Sequence, residues 1–409
     1  MRVAQRELGQ RLPDATLYVS VNEPDYPFAF RSGLIPVPAV SAKKLKKYLR
    51  SIPFVSKIPD VLLPAEFLLS LVNPDFSRAK KISKHTAYEI VMLGAVDAVI
   101  DISGFAYGDA FRSTSHINDS YAWVDLCKRK GKKYIFLPQA WGSFDNNEIA
   151  SLVKKMCLSA QLICSRDDQS SNHLQQIPVA GVRKFPDIVF NFKGETDEVG
   201  RALLRNVGFK DATRPKIALV PNMRIYERTN GLGASNEYVK FLVKLSNFCI
   251  DKLGVNLLVM PNEICTPGTN RADDRFLCGL IVSLIKKNEN CITTSDYYKS
   301  ETIKSILGQM DMVIASRFHS LVFALSQGVP VLAIGWSHKY RELLSQFDAE
   351  RYVVDHDNLD VGEVFSIVSD AWLQKEKTRK RILDTIPKLQ AEVELLFDEV
   401  ASSILDGTT

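Results

Sequence analysis

No stretch of this 409-residue chain offers the roughly twenty uninterrupted apolar residues that a membrane-crossing helix requires. The richest one, residues 311–336, is broken by Arg317, His319 and Pro330. No secretory leader opens the sequence, because Arg2, Gln5, Arg6 and Glu7 interrupt any apolar core there. The seven cysteines (Cys127, Cys157, Cys164, Cys249, Cys265, Cys278 and Cys291) stand singly, with no CxxC pair. An odd, unpatterned set of this kind argues against a disulfide framework and suits a reducing compartment. A strong excess of either charge is lacking as well: 52 Lys and Arg against 47 Asp and Glu leave a formal net charge of +5, compatible with an anionic ligand but demanding no nucleic acid. No internal repeat or low-complexity tract is present. What remains is an ordinary globular composition, 46% hydrophobic and 24% charged. The chain is too long for one typical domain, so two domains and a cytoplasmic location are expected.

Apolar periodicity organises most of the chain. Met1–Leu12 reads as a helix and Ala15–Val21 as a strand. Residues 22–93 are hard to read, and Pro24, Pro27, Pro36 and Pro38 predict irregular structure. Two basic runs fall there: Lys43, Lys44, Lys46, Lys47 and Arg50 on a helical segment, then Arg78, Lys80, Lys81 and Lys84. Both suit a solvated helix face. The alternative is peripheral membrane association with anionic lipid or a lipid-linked glycan.

From Asp97 onward strands and helices alternate, which predicts a parallel sheet with helices on both faces. Strands are expected at Asp97–Ile102, Tyr134–Leu137 and Leu162–Cys164, and Val182–Phe190 closes a first domain. A connecting helix is expected over Thr196–Val207, with Gly208 just past its end. A second set of strands follows at Ile217–Val220, Leu257–Met260, Cys291–Thr293, Met312–Ala315, Val331–Ile334 and Tyr352–Val354. Two helices then cover Val361 to about Leu405. The predicted organisation is an N-terminal α/β domain over 1–192, a connecting helix and linker over 193–214, a C-terminal α/β domain over 215–385, and a last helix over 386–409.

The most informative stretch is Asp311–Lys339, DMVIASRFHSLVFALSQGVPVLAIGWSHK. It reads as strand, polar turn, helix, strand, polar turn. Gly328 is placed to end the helix, with Pro330 just beyond. In open α/β sheets ligands bind outside the carboxyl ends of the strands, where both polar turns fall. A helix opening at Phe318 also presents unpaired N–H groups and the positive end of its dipole, which suit an anion. Across the second domain the strand ends are basic: Arg224, Arg317 and Lys339. Such a bias suits an anionic ligand, best held by several cations and preferably by arginines that bind in a planar fork.

The run SRFHSLVFALSQGVPVLAI with its following lysine, together with FLPQAWGSF, SRDDQSSNHL and FPDIVF, resembles the polysaccharide pyruvyl transferase family over about Ala95–Glu342. The resemblance implies two doubly wound parallel-sheet domains of the GT-B type facing across a cleft, with the last helix, 386–409, crossing back onto the first domain. It implies transfer of pyruvate from phosphoenolpyruvate to a sugar of a surface polysaccharide or glycan, as a cyclic ketal, with release of phosphate. The donor is a substrate, and no cofactor or metal is implied. A sugar or lipid-linked glycan would be the acceptor, met in the cytoplasm at the inner face of the membrane. The family's GNxGD loop, which opens the first helix, has no match here. A truncated start, with the N-terminal strand missing and an exposed sheet edge beside Ala15–Val21 or Asp97–Ile102, is therefore expected.

On this resemblance Arg317 binds the donor and His319 acts as proton donor. Arg224, Phe318, Ser320, His338 and Lys339 complete the donor side, while Gly104, Gln139 and Trp141 lie on the acceptor side. Each has a plainer reading. Arg317 can be a salt bridge tying strand to helix, and Arg224 an exposed loop arginine. His319 can be a structural histidine, and His338 competes with it for the acid role. Trp141 can be core packing rather than a sugar platform, and the loop Ser103–Asp109 an ordinary flexible turn. Arg166 with Asp167, and Pro186 with Asp187, read as caps and turns.

Three other functions compete. A nucleotide-sugar glycosyltransferase of the same architecture would carry a ribose-binding glutamate where this chain has Phe323, and an apolar residue cannot hydrogen-bond ribose. A two-domain solute-binding protein is opposed by the absent export signal. A degenerate homologue is supported by the missing GNxGD loop and opposed by the intact Arg317 and His319.

Overall fold

The computed structural model describes residues 1–21, 26–38, 92–111, 114–209, 211–265, 273–286, 288–294, 296–335, 337–357 and 360–406. Both basic runs between Lys43 and Lys84 lie outside these residues. The chain divides into two compact units, Met1–Phe185 with Glu394–Thr409, and Pro186–Val393.

Among the described residues the first unit holds two parallel sheets. Strands β1 (Tyr18–Val21) and β2 (Ile35–Pro38) pair with each other, Tyr18 opposite Ile35. Pro36 and Pro38, expected in irregular structure, lie instead in a strand with one described neighbour. Proline is tolerated there because no ladder donor is needed on the open side. The other sheet has the order β3-β4-β5-β6, from Ala98–Asp101, Lys133–Gln139, Leu162–Ser165 and Val182–Lys184. Among the described residues β3 is an edge strand. The β4 strand is buried from Tyr134 to Gln139. Its Phe136 joins Tyr107, Trp141, Ile117, Val124 and Met156 in the core.

The second unit is one six-stranded parallel sheet in the order β12-β11-β10-β7-β8-β9. The strands are β7 (Lys216–Val220), β8 (Asn256–Val259), β9 (Cys291–Thr293), β10 (Met312–Ala315), β11 (Val331–Gly335) and β12 (Val353–Asp355). Strands β8, β10 and β11 are buried at every position, as the central strands of a sheet covered on both faces must be. Chain order runs outward from β7 to β9, then returns to β10 on the other side of β7. The carboxyl ends of β7 and β10 therefore flank the topological switch point, where open α/β sheets leave a crevice.

Local signals hold where the residue chemistry is strong. Gly208 ends the Asp197–Val207 helix in the left-handed region at φ 86°. Gly328 takes φ 78° after the Phe318–Leu325 helix, and a Cβ there would come within 2.6 Å of Leu383. The final helix, Lys375–Leu405, gives Ile382, Ile386 and Leu389 to the second unit's core. Its last turns belong to the first unit, where Arg11 Nε donates to Asp398 at 2.6 Å and Lys133 Nζ to the Ile404 carbonyl at 2.6 Å.

Candidate functional site

The switch point of the second unit is built from three strand ends. After β7, Asn222 caps a short helix, Met223–Tyr226, by accepting from the Arg224 N–H at 2.9 Å. Its amide donates to the Ser316 carbonyl at 2.8 Å, which ties β7 to the end of β10. Two buried phenols converge on the same residue: Tyr238 donates to Ser316 Oγ at 2.7 Å, and Tyr340 to the Ser316 carbonyl at 2.8 Å. Ser316 thus fixes the backbone from which Arg317 projects.

Arg317 is the hub of an ion-pair triad. Its Nε donates to Asp274 Oδ2 at 2.9 Å and its Nη2 to Asp274 Oδ1 at 2.5 Å, a two-pronged contact with a carboxylate that has no exposed surface. Its Nη1 donates to Glu263 Oε2. Asp274 also accepts from the N–H groups of Met223 at 3.1 Å and Glu263 at 2.9 Å. The triad thereby joins the segments that follow β7, β8 and β10. Burial pushes the Asp274 carboxyl above its ordinary pKa, and the Arg317 guanidinium and the two amides only partly offset this. Burial opposes the Arg317 charge too, but the two carboxylates raise its pKa on balance.

The salt-bridge reading of Arg317 therefore holds in part, with one amendment. Its partners lie beyond β8 and at the start of the Arg275–Leu284 helix, not in the helix that Arg317 itself precedes.

Arg317 takes the N-cap position of the Phe318–Leu325 helix. His319, in the first turn, is exposed. Ser320 is fully buried, and its Oγ has no hydrogen-bond partner among the described residues. Phe318 is buried and meets the Tyr340 ring edge-on at 5.9 Å. Lys339 Nζ lies 5.3 Å from the centre of the Phe318 ring, so the second polar turn is drawn to the first. His338 lines a cavity of about 230 Å³ with Gly335, Ser337, Arg341, Asp355 and His356. Arg224 is half exposed, with Glu227 3.9 Å away. The second unit therefore gathers Arg317, Phe318, His319, Ser320 and Lys339 around the β10 end. Arg224 stands at the β7 end and His338 at the β11 end.

In the first unit two assignments need correction. Trp141 is fully buried: its indole N–H donates to the Cys164 carbonyl at 3.0 Å, and its ring stacks on Tyr107 at 5.3 Å. No face is left for a sugar, so the packing alternative is the one observed. Gln139 is also fully buried, donating to Asp101 at 3.2 Å. Asp101 accepts in addition from Tyr107, Tyr134 and the Ser103 N–H, so Gln139 belongs to a buried network and is not a surface contact. Burial, then the Asp101 charge, pushes both phenols well above their ordinary pKa and keeps them as donors.

Gly104 sits at φ 73° with its carbonyl accepting from Ala140 at 2.9 Å. The loop Ser103–Asp109 is knitted to residues 140–146. Gly142 N–H donates to Tyr107 at 3.0 Å, and Asp109 accepts from Ser143 Oγ at 3.1 Å. Asp167 and Asp187 cap the segments that follow them, as expected.

Asp274 and His356 escaped the sequence reading. Asp274 lies in a polar loop and becomes significant only through Arg317, which is 43 residues away in sequence. Glu263, just beyond β8, likewise gains its significance only through Arg317, 54 residues away.

With the geometry in place, comparison with known proteins adds three findings. The family model for polysaccharide pyruvyl transferase matches residues 1–338. The amylovoran biosynthesis protein AmsJ of Erwinia amylovora is 19% identical over 341 residues, 81% of this chain and 79% of that protein. Among solved structures, the UDP-GlcNAc 2-epimerase of Neisseria meningitidis matches with a TM-score of 0.55 at 10% identity, over 98% of this chain and 96% of that one. The calicheamicin glycosyltransferase CalG4 matches at 0.54 and 10%, over 100% and 95%. At such identities the structural likeness shows the fold alone, which is GT-B-like, with parallel sheets in two domains.

Proposed function

The chain belongs to the polysaccharide pyruvyl transferase family, and from that premise we propose that it transfers pyruvate from phosphoenolpyruvate to two hydroxyls of a glycan sugar. A proton adds to the methylene carbon of the donor, which becomes the methyl group of the ketal. The first hydroxyl oxygen bonds to the neighbouring carbon. The carbon–oxygen bond to phosphate then breaks and the second hydroxyl closes the ring. The two hydroxyl protons balance the one added to carbon and the one carried off by phosphate.

The observation that carries this reading is the gathering of Arg317, His319 and Lys339 at the switch point, with the amino end of the Phe318–Leu325 helix. Guanidinium, ammonium and helix N–H groups together suit a donor with a phosphate and a carboxylate. His319, exposed in the first helical turn, is the proton donor in this proposal, a role that supplies about 10²–10⁴-fold in rate.

The glycosyltransferase alternative gains no support from Phe323. That residue is buried and stacks on Phe192 at 5.2 Å, offering nothing to a ribose. Among the described residues no helix is long and apolar enough to cross a membrane. Action in the cytoplasm, on a glycan met at the inner membrane face, is part of the proposal.

The test is phosphate release from phosphoenolpyruvate with a panel of galactosides and N-acetylmannosamine glycolipids. Transfer from a nucleotide sugar, with phosphoenolpyruvate ignored, would overturn the proposal.

A further inference from the structure

The two carboxylates on Arg317 hold it unequally. Asp274 is fully buried, grips two guanidinium nitrogens and accepts two backbone N–H groups besides. Glu263 touches Nη1 alone, and its side chain keeps 31% of its surface exposed. The backbone of Glu263 is anchored separately: its N–H donates to Asp274 Oδ2 at 2.9 Å and its carbonyl accepts from the Asp274 N–H at 3.0 Å. Its side chain can therefore swing away while the loop stays in place. With both carboxylates ionised, one guanidinium faces two negative charges. A dianionic ligand would meet repulsion, and the Nη1 N–H that faces Glu263 is already engaged.

We infer that Glu263 is a displaceable carboxylate. It occupies on Arg317 Nη1 the place taken by a carboxylate or phosphate oxygen of the anionic ligand, and swings off when that ligand binds. Asp274 remains, holding the guanidinium plane fixed and supplying the one negative charge that balances it. The inference rests on the donor reading above for the identity of the ligand. It makes Glu263 a residue that sets donor affinity while taking no part in the bond changes.

The experiment is chemical modification of Arg317 by phenylglyoxal in the full chain, followed by peptide mass spectrometry. The proteins compared are wild type, Glu263→Gln and Glu263→Ala. Asp273→Asn is the charge-matched control, since Asp273 pairs with Arg275 and not with Arg317. Both Glu263 variants should modify about tenfold faster, the size of one charge-assisted hydrogen bond. Phosphoenolpyruvate should protect them at about a tenth of the concentration that wild type needs. The control should behave as wild type.

Unchanged modification rates in both Glu263 variants overturn the inference. Faster modification, with protection by inorganic phosphate but none by phosphoenolpyruvate, supports the displaceable carboxylate and overturns the donor reading. Faster modification with protection by neither overturns both.

Discussion

Replacing Asp274 by asparagine tests whether the triad holds the strand ends together. The carboxylate accepts four hydrogen bonds, from Arg317 Nε and Nη2 and from the N–H groups of Met223 and Glu263. Asparagine keeps one acceptor oxygen and turns an amide NH₂ toward donors on the other side. At least one N–H is then left facing a donor with no solvent to reach, and Arg317 loses its buried countercharge. Removing one partner of a buried ion pair costs about 3–5 kcal/mol. Glu263 still neutralises Arg317, so the lower end, about 3 kcal/mol, is expected. For a unit of roughly 200 residues each kcal/mol moves the melting temperature by about 2–4 °C, so the second unit should melt about 6–12 °C lower. Scanning calorimetry of the full chain, which follows both units, measures this. Asp273→Asn, removing a more exposed carboxylate, should cost less than about 1 kcal/mol. If Asp274→Asn melts within about 2 °C of wild type, the triad does not fasten the ends of β7, β8 and β10, and the structural argument made for Arg317 fails.

Other outcomes follow from the same geometry. Arg317→Lys should raise KM for phosphoenolpyruvate about tenfold or more despite the retained charge, because a lysine cannot grip Asp274 through two nitrogens and still offer a third to the donor. His319→Ala should chiefly lower kcat, by about 10²–10⁴-fold, with KM little changed; steady-state phosphate release separates the two. Gly142→Ala should destabilise the first unit by about 2–4 kcal/mol, read as a lower melting temperature. Its backbone lies at φ 87°, and a Cβ would fall 2.3 Å from His173. The thiols of Cys127, Cys157, Cys249 and Cys291, pushed by burial up to about 12, should resist Ellman's reagent at pH 8 in the native protein. They should react fully after denaturation; fast native reaction of any of them would mean that its core position is wrong.

The sequence by itself determined where the central strands of the second unit lie. Met312–Ala315 falls as read, because a strand buried on both faces needs an unbroken apolar run of its own. It determined that Arg317 and His319 stand at a strand end, because a polar turn between such a run and a helix has nowhere else to go. It determined the positive-φ glycines at Gly208 and Gly328, since other residues are strained there. β2 is hidden from a sequence pattern because its prolines, Pro36 and Pro38, fall on the side away from β1, its one described neighbour. Trp141 and Gln139 were legible as strand-end residues but not as buried ones: an apolar ring beside a polar amide fits a sugar platform or a core equally well until Tyr107 and Asp101 are brought against them.

Only the tertiary structure decided that β10 lies beside β7, and so where the switch point is. Alternating strands and helices have the same periodicity whichever side of the sheet the chain returns to. Only the tertiary structure gave Arg317 its partners, 43 and 54 residues away. An ion pair depends on distance in space, and the order of strands in the sheet sets that distance.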